Sequence, residues 1–168
     1  MAIYVDATPL YDLGQIGEHE LLASFETELV IPRRVIDEIT VEPAATNLER
    51  LLDEQPVETD PDIEAWIDDA KRLLDATEET SDVALIACLL AARDRDEEAV
   101  LVSDDRRLRA LAEGLGATVT GTFGLTARAS MDDKYFSVTQ AKRVIRRTDH
   151  HGLQMTGQLR ERAIGEVD

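Results

Sequence analysis

The chain has 168 residues, of which 43% are hydrophobic, enough for one domain (1–168) with a real core, and it sets 35 acids against 18 bases for a formal net charge of −17. One cysteine, Cys88, excludes an internal disulfide and a cysteine-based zinc site; no apolar run reaches the roughly 18 residues of a membrane span, and the N-terminus lacks the order of a signal peptide, so a soluble, cytoplasmic chain away from any membrane is expected. The acids are spread throughout and lysine is confined to Lys71, Lys134 and Lys142, a balance that fits a high-salt cytoplasm such as a halophilic archaeon's, where dense salt screens self-repulsion and net charge says little about partners.

In chain order, Ala2 to Val5 reads as a buried strand that ends on Asp6, and Pro9 opens a helix with Leu10, Leu13 and Ile16 on one face. Leu29-Val30-Ile31 is a second strand stopped by Pro32, and Val35, Ile36 and Ile39 mark a helix that carries Glu38. From Glu42 to Glu79 the chain is acidic and broken by Pro43, Pro56 and Pro61, with Val57 in a short strand and helix around 63–66 and 70–74. An Ala/Leu-rich helix from Asp82 to about Arg93 follows, with Ser81 or Asp82 as its cap and Cys88 as a small buried hydrophobe.

Ala99 to Val102 is the clearest buried strand and ends on Ser103-Asp104-Asp105 before a helix over 108–115; Ala117 to Thr120 is a last strand leading to Gly121. Strands alternating with helices predict a three-layer α/β/α sandwich around a mainly parallel twisted sheet, with a core over 1–130. Residues 131–168 read as a basic helical extension holding Lys142, Arg143, Arg146 and Arg147, with a second helical segment over 156–163. His150-His151 reads as a solvated pair in a turn before Gly152, and Tyr135-Phe136 as core or dimer contact.

A buried lone carboxylate costs several kcal/mol unless it is paired, hydrogen-bonded or metal-bound, so Asp6 needs a partner. In open parallel sheets ligands bind beyond the carboxyl ends of the strands. Asp6, Asp104 and Asp105 lie at such ends, Asp82 starts the central helix, and Glu38 follows the second strand. Carboxylates meeting in one cleft suit a hard divalent cation, Mg²⁺ or Mn²⁺, which orients water and stabilises charge on a phosphoryl oxygen. Singly, Asp82 also has a reading as an N-cap, and Asp104 or Asp105 one as a turn or cap residue.

The segments Val5-Asp6-Ala7-Thr8, Ile31 to Ile39, Ser81 to Ala87 and Leu101 to Leu108, in that order, resemble a PIN domain. Leu111 to Leu125 and the basic tail are similar to a PIN subfamily long catalogued as a domain of unknown function and related to VapC-type toxins. The resemblance implies a metal-dependent ribonuclease with an acidic quartet at Asp6, Glu38, Asp82 and Asp105, and hydroxyls at Thr8 and Ser103 beside the first and last acids. The family's spacing of hydroxyl, any residue, acid favours Asp105 over Asp104 as the fourth ligand. The Ser81-Asp82 pair departs from the Gly-Glu common in that subfamily. A homodimer and a toxin-antitoxin pairing are further implications of the resemblance.

Arg33, Arg34, Arg106 and Arg107 flank the acids and are candidates to bind RNA phosphates, or to pair with surface acids. The rival readings are a PIN-fold RNA-binding or protein-interaction module that does not cut, and a phosphatase-like fold that has no use for Glu38.

Overall fold

The computed structural model describes residues 1–25 and 27–131, without the side chains of 128–131, together with Arg143 and Arg146, which are helical and exposed. The expectations for Lys134, Tyr135, Phe136, Lys142, Arg147, His150, His151 and the helix over 156–163 lie outside the described residues.

Short strands make the sheet, buried at its centre and partly exposed at its two edges. β1 (Ala2–Val5), β2 (Glu28–Val30), β3 (Val57–Glu58), β4 (Ala99–Val102) and β5 (Thr118–Thr120) pair in parallel, in the order β3-β2-β1-β4-β5. Every residue of β1 and most of β4 are buried, as central parallel strands covered by helices require. The chain leaves β1 for β2 on one side and later returns to place β4 on the other, so a topological switch point falls between β1 and β4. Their register pairs Val5 with Val102, which sets Asp6 and Ser103 side by side at the carboxyl end.

The helices are α1 (Ala7–Gln15), α2 (Glu20–Ala23), α3 (Arg33–Ile36), α4 (Ala44–Glu54), α5 (Ile67–Leu74), α6 (Ser81–Asp94), α7 (Arg106–Gly114) and α8 (Thr122–Met131), with a 3₁₀ turn at Glu64–Trp66. α1 packs on α4 and α8, while α5, the 3₁₀ turn and α7 pack on α6, which also lies against β1 and β4. α6 is buried on nearly all sides from Val83 to Ala92, including Cys88, whose thiol is pushed up to about 12 by burial. The α/β/α sandwich is thus the observed architecture. Among the described residues no helix is long and apolar enough to cross a membrane.

Four local expectations are corrected. α1 begins at Ala7, before Pro9, because Asp6 caps it, and Pro9 sits in the first turn where its missing N–H is harmless. Glu38 is not on a helix: α3 ends at Ile36, and Glu38 lies in the turn after it, where its N–H bonds the Val35 carbonyl. α6 is capped by neither Ser81 nor Asp82 but by Thr80, whose hydroxyl accepts from Val83 N–H at 3.2 Å. α2, α4 and α8 were not anticipated, although α4 buries Ala44, Leu48 and Leu51 at helical spacing in a stretch whose prolines and acids suggested loop.

The α1–α4 contact is close enough to forbid a side chain at Gly14, where a Cβ would stand 2.7 Å from the His19 ring and 2.9 Å from the Ala44 Cα. That ring is itself fixed, with Nε2 donating to the Leu10 carbonyl. Gly14→Ala should therefore destabilise the fold by about 1–3 kcal/mol, read as a lower denaturation midpoint in molar KCl.

Candidate active site

Asp6 is 7% exposed and leads from β1 into α1. One carboxylate oxygen accepts from Ala7 N–H at 2.7 Å and the other from the fully buried Ser103 hydroxyl at 2.7 Å. Ser103 also accepts from Asp105 N–H at 3.1 Å, so one hydroxyl ties the first acid to the backbone of the last. Asp105 caps α7 by accepting from Leu108 N–H at 2.8 Å through Oδ1. Because Thr80 serves as the α6 cap, the Asp82 carboxylate is free to face the other acids.

Electrostatics show that the set converges. Burial pushes the Asp6 carboxyl above its ordinary range, the bonds from Ser103 and Ala7 pull it back, and the charges of Asp105 and Glu38 push it up again. Asp82 is raised by burial, then by Asp6, Asp105 and Glu38, with Arg107 opposing. The structure therefore brings Asp6, Glu38, Asp82 and Asp105 within electrostatic reach of each other. Glu38 and Asp105 are exposed and Asp82 half-buried. Thr8 is exposed on the first turn of α1 and makes no side-chain hydrogen bond among the described residues.

Asp104 turns the other way. Its two oxygens accept from Thr122 N–H at 3.0 Å and Thr122 Oγ1 at 2.7 Å, which starts α8. Gly121 lets this happen, since a Cβ there would lie 2.6 Å from an Asp104 oxygen. Of the two adjacent acids, it is the charge of Asp105 that acts on Asp6 and Asp82.

Four mutually repelling carboxylates with one opposing arginine form a donor set that fits a hard divalent cation in charge and ligand type. Asp6 spends two of the roughly four acceptor positions of a carboxylate on Ser103 and Ala7, leaving the others open. As the side chains stand, no three Asp, Glu, His or Cys residues among the described ones are gathered tightly enough to grip one ion.

The flanking arginines differ in their freedom. Arg34 is paired with Glu79 at 3.0 Å on the surface. Arg107 donates to the Leu74 carbonyl at 2.8 Å, joining α7 to the end of α5. Arg33 donates to Thr59 Oγ1 at 3.2 Å, and Arg106 is exposed with no bonded partner among the described residues. Beside the acids, a groove of about 710 Å³ opens against Pro32, Arg33, Arg34, Asp37 and Ala84. Asp6, Glu38, Asp82 and Asp105 do not line it.

Asp12 escaped the sequence reading. It is 1% exposed on α1, Oδ2 has no hydrogen-bond partner among the described residues, and burial followed by the Asp104 charge pushes its carboxyl up to about 7. Its sequence signal was position: it stands between Leu10 and Leu13 on the buried side of α1. The native state holds a proton on Asp12 that the unfolded chain releases near 3.8, so this group favours folding at low pH and that advantage is lost as pH rises toward 7. Asp12→Asn should flatten the fall in stability between about pH 4 and 7 and leave the variant more stable than the parent by a few kcal/mol at pH 8, measured by denaturation across pH.

The family model described as PIN domain matches residues 2–168 of the chain. No curated protein matches it.

Proposed function

The chain belongs to the PIN domain family, and from that premise we propose that it is an endoribonuclease dependent on Mg²⁺ or Mn²⁺, hydrolysing RNA phosphodiester bonds at the Asp6, Glu38, Asp82 and Asp105 cleft. The observation that carries this reading is Asp6: a buried carboxylate fixed at the switch point and pushed upward by the charges of two further acids. Such an arrangement is unfavourable in itself and would be offset by a cation. The same reading takes the protein as the toxin of a toxin-antitoxin pair, with an antitoxin covering the cleft, and as a homodimer; both rest on the family alone.

Asp6, Asp82 and Asp105 would hold the ion, which supplies Lewis-acid stabilisation of charge on the phosphoryl oxygen and activates water. Ser103 keeps the Asp6 carboxylate in one rotamer and, through Asp105 N–H, keeps the start of α7 beside it. Glu38, on the turn after α3, reaches the cleft from the side and accepts a hydrogen bond from the attacking water. Arg106, with no bonded partner among the described residues, and Arg33, which donates to Thr59 Oγ1, are the arginines we assign to phosphate, ahead of Arg34 and Arg107, which are held by Glu79 and the Leu74 carbonyl. Thr8 borders Asp6 with a free hydroxyl.

A second reading, a PIN-fold RNA-binding or protein-interaction module that does not cut, is favoured by one observation: the acids are not gathered tightly enough to grip an ion as they stand. Cleavage of structured and unstructured RNA in molar KCl separates the two. The nuclease should cut with Mn²⁺ or Mg²⁺ and stop in EDTA; Ser103→Ala, which leaves the Asp6 carboxylate unsupported, should cut about 10–100-fold more slowly, and Asp6→Asn should lose more than that. RNA retained but uncut with every metal, by folded parent and Asp6→Asn alike, would establish the non-cutting module.

A further inference from the structure

α8 begins just after the chain leaves β5, and the residue before it, Gly121, has no side chain with which to cap it. Asp104 does so from the end of the neighbouring strand. Its Oδ1 accepts from Thr122 N–H at 3.0 Å and its Oδ2 from Thr122 Oγ1 at 2.7 Å. The carboxylate thereby satisfies an orphan backbone donor and puts negative charge at the helix start, where the dipole favours it. Thr122 is fully buried, as is Thr126, whose hydroxyl donates to the Thr122 carbonyl at 2.9 Å and ties the first turn of α8 together.

This grip falls in the middle of the segment that builds the cleft. On one side of Asp104, Ser103 donates its N–H to the Thr120 carbonyl at 2.9 Å and its hydroxyl to Asp6. On the other, Asp105 donates its N–H to the Ser103 hydroxyl and caps α7. The backbone at Asp105 is extended, with φ −78° and ψ 119°, and along an extended chain successive side chains leave on opposite sides. Fixing Asp104 toward α8 therefore sends the next carboxylate, Asp105, to the side of Asp6 and Asp82, on which its charge acts. α8 also packs on α1, which Asp6 caps. The contacts close a ring that runs from Asp6 through α1, α8, Asp104 and Ser103 back to Asp6.

We propose that Thr122 is a positioning residue of the acidic cleft: by holding both oxygens of Asp104 it selects Asp105 as the acid that joins Asp6, Glu38 and Asp82. The effect on cleavage rests on the ribonuclease reading; the effect on the loop over 103–105 does not.

Thr122→Val keeps the shape and the N–H but removes the hydroxyl, and Thr122→Ser restores it. The first readout is amide hydrogen exchange by NMR in molar KCl with EDTA, which needs neither metal nor RNA. The Asp105 N–H should exchange about tenfold or more faster in Thr122→Val than in the parent and in Thr122→Ser, while the amides of β1 and β4 keep the parent's rates. Asp104→Ala, at a half-buried position, releases the same grip and should give the same pattern, so the test stands should Thr122→Val fail to fold. With Mn²⁺, RNA cleavage by Thr122→Val should be about 10–100-fold slower, in kcat rather than KM, and recovered in Thr122→Ser. Asp104→Asn, which keeps an oxygen for the Thr122 N–H, should be slowed less than Asp105→Asn.

Unchanged exchange at Asp105, or exchange accelerated across the central strands alike, would overturn the proposal, the second by reducing Thr122 to a prop of the whole fold. Asp104→Asn as slow as Asp105→Asn would overturn it as well, because the charge of Asp104 would then serve the cleft directly. Accelerated exchange confined to the loop, in a protein whose parent cuts no RNA, would support the positioning role and overturn the ribonuclease reading instead.

Discussion

The hydrogen bond from Ser103 to Asp6 is the interaction on which the site depends. It exists because β1 and β4 are neighbours in parallel register with Val5 opposite Val102, so the residues after them meet at the carboxyl edge. A carboxylate only 7% exposed would be intolerable there without donors, and the strand edge supplies two, the Ala7 N–H and the Ser103 hydroxyl. Those donors hold the charge without neutralising it. Burial and the nearby Asp105 and Glu38 still push Asp6 upward, which leaves the cleft short of positive charge.

Helix capping decides which acids remain available. Thr80 takes the cap of α6 and thereby releases Asp82, whereas Asp105 caps α7 through one oxygen and keeps the other unbonded among the described residues. Asp104 is used entirely in starting α8 at Thr122. Adjacent residues of the same chemistry thus have opposite roles, because a residue leaving a strand can face either the cleft or the next helix. The arginines divide in the same manner: Arg107, Arg34 and Arg33 have protein partners, while Arg106 has none among the described residues.

The acidic surface affects how this site operates. Salt at molar concentration shortens electrostatic reach to roughly 3 Å, which relieves repulsion among dispersed surface acids but acts much less on the partly buried cleft. It also weakens phosphate contacts made by exposed arginines. The carboxyl of Asp12, beneath the same edge of the sheet, is a burden that the fold carries in its own core.

The sequence by itself determined the strand and helix alternation and the parallel sheet, because each central strand is a short apolar run that admits no other placement. It also determined the order of the acids, since Asp6, Asp82 and Asp105 stand at element ends marked by abrupt changes from apolar to polar residues. It missed α4, where helical spacing of Ala44, Leu48 and Leu51 was masked by prolines and acids nearby, and it extended α3 over Glu38 because Ile39 keeps the apolar period. Only the tertiary structure decided which of Asp104 and Asp105 faces the other acids, which residue caps α6, and which arginines are already bonded. Those choices depend on atoms that meet across the chain, Ser103 with Asp6, Thr122 with Asp104, Leu74 with Arg107, and local periodicity contains no record of such meetings.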